Sequence, residues 1–359
     1  MVKVEHSNEL QALRGLAALC VLVHHALRIL GPVKWAEWVA EVLLNAHAAV
    51  VIFFVLSGFV LSKSLLSRGF NRDELFGYYI RRIFRIYPAL WVSCTLGLLY
   101  FAFVRSIPAP HFASWAAAHY DPSVFNVRTL LLSYLALFPF LDPPLWTILV
   151  ELACSAMLPA LLFLFLRKRW TIVPSLALLA LATFAEQHSI RGILTNFFHF
   201  GLGAAIALLG TQRMSRGWPV WLALTVLVFF RQLYPWTYNA AVPSLIEGLM
   251  AAMVISGIIN GSFHALSHSW LQRLGDISYS VYLLHLPIAY ATARVLDFYV
   301  FGPELPQSGP LILVVATLLI TLPLAALSYR FIELPGVVLG KNILSRDRVR
   351  NKFSSPTVP

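Results

Sequence analysis

Long apolar stretches separated by short polar or basic connections run through the whole chain. A bilayer core needs about 20 apolar residues per spanning helix. Ten segments approach that length: 10–30, 43–64, 86–105, 145–166, 171–187, 193–210, 218–235, 241–260, 276–297 and 310–332. A shorter apolar run at 129–141, containing Pro139 and followed by Pro143 and Pro144, is too short to span and is expected to be interfacial or re-entrant. The pattern therefore predicts an all-α polytopic membrane protein of about ten transmembrane helices.

Basic residues orient those helices, because Lys and Arg accumulate on the cytoplasmic side. With the N-terminus inside, 20 of the 27 Lys and Arg residues fall on inner segments, including the six between Lys63 and Arg85 and the run Arg167-Lys168-Arg169. Both termini are then cytoplasmic. Composition agrees: of 359 residues, 59% are hydrophobic and only 12% charged, with a mean hydropathy of +0.74. The net charge of +11 follows the inner segments, so it reads as attraction to anionic membrane lipid and not to nucleic acid. Residues 1–340 form one membrane domain without internal repeats, and 341–359 is a basic tail expected to be disordered. The first apolar run is longer than a signal-peptide core and is expected to remain as a mature helix. Cys20, Cys94 and Cys154 all fall inside apolar segments, so neither a disulfide framework nor a metal site is expected.

Ionisable residues inside such segments are costly in lipid, which makes them functional candidates. Arg14 and His25 stand out. Eleven helical residues rotate by about 1100°, so the two share one helix face about 16.5 Å apart along the axis. Arg14 lies near the inner surface and His25 in the outer half. His24, about 100° round the helix, faces elsewhere. Glu151, about two turns into a helix entering from outside, is expected at the depth of His25. A carboxylate beside a histidine raises its basicity and fixes its tautomer, as a general base acting on a hydroxyl requires. The competing reading is a buried ion pair that orients helices. On the inner side Arg82 and Arg85 are neighbours on one helical face, and their planar forks suit phosphate oxygens, although cytoplasmic anchors would look the same. His285 is a possible additional site residue, with a helix-to-helix hydrogen bond as the simpler role. His199 and Glu247 are weaker candidates. Gly58, Gly201 and Gly203 suit close helix approach. The connection 106–144, with His111, Trp115, His119, Tyr120 and Asp121, is placed to cover an external cleft.

The segment from Arg14 to His25 resembles the arginine, ten residues, histidine signature of the acyltransferase 3 family of integral-membrane acyltransferases. Further similarity lies in Phe53-Phe54-Val55-Leu56-Ser57-Gly58-Phe59, in Arg82-Ile83-Phe84-Arg85-Ile86-Tyr87-Pro88, in Trp146-Thr147-Ile148-Leu149-Val150-Glu151, in the stretch from Ile277 to Pro287 around His285, and in Phe331-Ile332-Glu333-Leu334-Pro335. Thr147 stands where the family often has serine. These landmarks run from the first span to the last, and as an ordered set they are specific.

The resemblance implies transfer of an acyl group, commonly acetyl, from cytoplasmic acyl-CoA to a hydroxyl of a surface or lipid-linked glycan. It implies a bacterial cytoplasmic membrane location and no tightly bound cofactor, with acyl-CoA as co-substrate. On this reading Arg14, Arg82 and Arg85 hold the coenzyme A phosphates, His25 is the general base, and Glu151 orients it or the sugar. A proton-coupled secondary transporter or glycan flippase also places Arg, His and Glu in spans. Dependence on acyl-CoA separates the two.

Overall fold

The computed structural model describes residues 8–186, 192–210, 217–233 and 240–354, and every named element in them is helical. The principal helices are α1 (Asn8–Ile29), α2 (Ala46–Arg68), α3 (Arg72–Leu99), α4 (Val127–Tyr134), α5 (Leu145–Arg167), α6 (Ile172–Glu186), α7 (Ile193–Leu209), α8 (Trp218–Phe229), α9 (Ala241–Ile259), α10 (Ser269–Leu296), α11 (Gly309–Ser328) and α12 (Leu334–Ser354). Each of the ten expected segments coincides with one of them. Six helical stretches are long and apolar enough to cross a membrane: Asn8–Ile29, Lys34–Arg68, Arg72–Val104, Leu145–Arg167, Ala241–Ile259 and Gly309–Ser345. They mark an integral membrane protein. Ile193–Leu209 and Trp218–Leu233 are apolar but shorter.

Three boundaries differ from the expectation. Helix α3 starts well before position 86, because the Asn71 side chain accepts from the Glu74 amide at 2.8 Å and Asp73 and Glu74 occupy the positive first turn. Arg82 and Arg85 therefore sit within the helix body. The run 129–141 does not continue as one helix: α4 ends at Tyr134, and Phe140, Leu141 and Asp142 turn into the bundle, where all three are buried. Asp142 Oδ2 lies 2.5 Å from Ser93 Oγ there. Helix α12 is continuous to Ser354, across the expected start of the tail at 341, and 355–359 lie outside the described residues.

The innermost helix is α10, in which every residue from Ser280 to Tyr290 is buried. It runs parallel to α1. Their contact uses Gly15 and Gly275: a Cβ on Gly15 would strike the Gly275 amide, and one on Gly275 would strike the Gln11 backbone. Helices α2 and α7 approach in the same way at Gly58 and Gly203, as their sequence positions suggested. In lipid a freed backbone carbonyl needs a new donor. Pro159 leaves the Ser155 carbonyl without its helical partner, and Tyr78 Oη donates to it at 2.8 Å. Pro287 does the same to Leu283, whose carbonyl receives Ser93 Oγ at 3.0 Å.

Replacement of Gly275 by leucine is expected to force α1 and α10 apart and destabilise the protein by at least about 2 kcal/mol. Thermal unfolding in detergent measures this, with Gly31→Ala, where an added Cβ meets only ordinary contacts of 3.4 Å or more, as the comparison.

Candidate active site

The register of α1 on α10 brings His25 to His285, with Nδ1 of His25 3.0 Å from Nε2 of His285. The rings stack with centroids 5.2 Å apart and planes 19° from parallel. Nδ1 of His285 lies 2.6 Å from the Tyr282 carbonyl. A carbonyl only accepts, so His285 carries its proton on Nδ1 and, when neutral, offers the Nε2 lone pair. His25 must then donate from Nδ1. Its Nε2 is left with a lone pair, the arrangement a general base requires. His25 is thus oriented by a histidine that is itself held by a backbone carbonyl. His24 points away, its Nδ1 3.0 Å from the Ala40 carbonyl and 2.9 Å from that of Leu44.

Glu151 is not beside His25. Its Oε1 accepts from Arg82 at 2.7 Å and from Ser57 Oγ at 3.3 Å. The physical reason is the inward turn before α5: Leu141, Asp142 and Leu145 are fully buried, so α5 begins inside the bundle and its second turn reaches the level of the arginines. Thr147, one turn nearer the start of α5, bonds instead to Tyr282 Oη at 2.9 Å.

Arg14, Arg82 and Arg85 do converge, on a cavity of about 370 Å³ between α1, α2, α3, α5, α10 and α12. Arg82 is paired with Glu151 and also donates to Ser155 Oγ at 2.9 Å. Arg85 is paired with Glu333, a fully buried carboxylate that also accepts from Ser280 Oγ at 3.0 Å. The Arg85 guanidinium lies 5.5 Å from the Tyr279 ring. Arg14 donates to Gln11 Oε1 at 3.1 Å and, among the described residues, has no carboxylate ion-paired to it. A second chamber of about 60 Å³ adjoins the first, sharing Arg14, Ser57, Glu151 and Tyr279, and reaches Phe53, Thr147 and Tyr282. Tyr282 is one helical turn from His285.

On its side away from Arg14, His25 is covered by the connection 106–144. This strap is tied to the end of α1 by Gly31 donating to the His111 carbonyl at 2.6 Å and Ala113 to that of Ile29 at 2.9 Å. His111 also meets Asp297, with Nδ1 2.5 Å from Oδ1. The strap sets the Trp115 ring 6.3 Å from the His25 ring, with Trp115 Nε1 donating to the Arg28 carbonyl at 3.1 Å.

His199 and Glu247 belong to a separate buried network. Glu247 accepts from both Nε and a terminal nitrogen of Arg231 at 2.9 Å and from Asn45 at 3.0 Å, and lies 2.6 Å from His47. His199 Nε2 lies 3.0 Å from the Ser244 carbonyl. None of these residues lines either cavity, and the network ties α2, α9 and the turn after α8 together. Sequence reasoning singled out neither the pairing role of Glu333 nor that of Tyr282. Both lie in stretches of family similarity, and that was their only signal.

A family model for an acyltransferase domain, that of the acyltransferase 3 family, matches residues 7–330. The chain belongs to this family. It is accordingly an O-acyltransferase. This acyltransferase is 23% identical to nodulation protein 10 of Rhizobium leguminosarum bv. viciae, over 95% of the chain and 96% of that protein. It is 26% identical to the peptidoglycan O-acetyltransferase OatA of Listeria monocytogenes, over 91% of the chain but only 55% of that protein. A shorter similarity, 31% identity over 33% of the chain and 28% of the relative, links it to the O-acetyltransferase PaAT-1 of Phomopsis amygdali. No solved structure matches the chain.

Removing one member of a buried ion pair strands the other. Glu151→Met and Arg82→Met are each expected to destabilise the acyltransferase by about 3 kcal/mol, and the two together by clearly less than the sum. The check is a double-mutant cycle on unfolding midpoints in detergent.

Proposed function

We propose that this acyltransferase moves an acyl group, commonly acetyl, from cytoplasmic acyl-CoA to a hydroxyl of a surface or lipid-linked glycan in the bacterial cytoplasmic membrane. Ten of its helices span that membrane, with both termini in the cytoplasm. The observation that carries the donor assignment is the pair of adjoining cavities: a basic one lined by Arg14, and a narrow one reaching Tyr282, a turn from the His25–His285 pair. The acceptor class rests on the relatives, of which OatA acts on peptidoglycan by name.

In this mechanism Arg14 attracts the anionic donor, and the thioester is carried along the face between Arg14 and His25, a rise of about 16.5 Å. The acceptor hydroxyl approaches His25 from the strap side, where Trp115 lies. Nε2 of His25 takes the hydroxyl proton as the oxygen attacks the thioester carbonyl. The new C–O ester bond forms, the C–S bond breaks, and His25 returns the proton to the departing thiolate. His285 acts by positioning, because its Nε2 accepts from His25 Nδ1–H and stabilises the charge that His25 gains. Glu151 and Glu333 hold the arginines that wall the donor cavity, so Glu151 acts on the donor side and not on the base.

His25→Ala is expected to lower kcat by at least about 100-fold while leaving the acetyl-CoA Kd within about twofold. His285→Ala should lower kcat by about 10- to 100-fold, with His285→Gln, whose amide oxygen reaches the position of Nε2 and can accept from His25, recovering part of the loss. Arg14→Ala should instead raise the acetyl-CoA Kd by about tenfold. Single-turnover transfer and equilibrium binding in nanodiscs separate these effects. Full transfer by His25→Ala would remove the histidine from the mechanism, and no binding of acetyl-CoA to wild type would remove acetyl-CoA as the donor.

A further inference from the structure

We propose that α12 completes the donor site and that Lys341 binds the phosphate groups of coenzyme A at its rim. The inference rests on the acyl-CoA reading above and extends it to residues beyond 7–330, the span that the family model matches.

The chain at 336–340 reads Gly-Val-Val-Leu-Gly, a spacing that puts two glycines on one helix face. That face packs on α3: a Cβ on Gly336 would press on the Pro88 ring and the Phe84 carbonyl, and one on Gly340 on the Phe84 side chain. Leu344 reaches the neighbourhood of Gly77 at the start of the same helix. Close approach on this face turns the next positions, Val337 and Lys341, which lie four apart and share a face, toward the space beside α3. Both line the 370 Å³ cavity.

The charges in that cavity are not equivalent. Its lining includes Arg14, Arg81, Arg82, Arg85 and Lys341 against the single carboxylate of Glu151. Arg81 is 3.7 Å from Glu74, Arg82 is paired with Glu151, and Arg85 with Glu333. Among the described residues, no carboxylate is ion-paired with Arg14 or Lys341. Arg14 is placed where the wide cavity meets the narrow chamber, and Lys341 stands on the exposed wall. An extended donor whose thioester has passed Arg14 toward His25 leaves its diphosphate beside Arg14 and its outer phosphate at the mouth beside Lys341, so each anionic group meets a cation. A lysine ammonium is a compact point charge suited to phosphate.

An anionic lipid headgroup offers the same phosphate chemistry at this membrane level, so the test separates the two sources. The Kd of acetyl-CoA and of S-acetyl-pantetheine, which lacks the nucleotide phosphates, is measured for full-length wild type, Lys341→Ala, Lys341→Glu and Lys341→Arg in phosphatidylcholine nanodiscs, and again with phosphatidylglycerol added. Lys341→Ala is expected to weaken acetyl-CoA by about 5-fold, Lys341→Glu by about 20-fold or more, and Lys341→Arg by no more than about 2-fold. S-acetyl-pantetheine should bind all four proteins alike. Equal acetyl-CoA affinity in all variants, or equal losses for both thioesters, overturns the assignment of Lys341. A difference that appears only with phosphatidylglycerol assigns Lys341 to lipid and likewise overturns it. Wild type that binds no acetyl-CoA refutes the donor reading itself, a result distinct from a silent Lys341.

Discussion

The close parallel contact of α1 with α10 is the constraint on which the site depends. Two glycines let the backbones approach, and their positions fix the register: Gly15 meets Gly275, and ten residues further along both helices His25 meets His285. A bulkier residue at that crossing would move a hydrogen bond made about 15 Å away along the helix axis. The same contact carries Arg14 to the cavity. Arg14 and His25 are thus placed by one packing event, and neither depends on a loop.

Around that pair, the bundle neutralises most of the charge it buries. Arg82 with Glu151, Arg85 with Glu333, and Arg231 with Glu247 each join different helices. A buried ion pair is a weak source of net stability but a strong penalty against mispairing, so these contacts specify which helices meet and at what height. Their arrangement also leaves the cavity with net positive potential, because its walls hold more cations than carboxylates. In a low-dielectric setting such an imbalance is felt far more strongly by an anionic ligand than it would be in water.

Prolines extend the same economy to the backbone. Pro159 and Pro287 each free a carbonyl, and the freed group becomes an acceptor for a side chain on α3, Tyr78 in one case and Ser93 in the other. What would be a defect in an isolated helix becomes a link between helices. Ser93 Oγ also lies 2.5 Å from Asp142, and Tyr120 Oη donates to the Leu141 carbonyl at 3.0 Å, so the inward turn before α5, and with it the depth of Glu151, is held from α3 and from the connection 106–144.

The apolar pattern alone determined where the helices lie and that Arg14 and His25 share a face, because both follow from local periodicity and from the cost of polar groups in lipid. Close approach at Gly58 and Gly203 was legible for the same reason. The partners of the polar groups were not. Assigning Glu151 to His25 assumed that α5 starts at the membrane surface, whereas the buried turn at 140–145 shifts it inward, and no local signal measures such a shift. His285 and Glu333 are far from His25 and Arg85 in sequence, so only packing could pair them. The fold decided which carboxylate met which arginine, because each burial had to be satisfied by whatever group the neighbouring helix presented at that height.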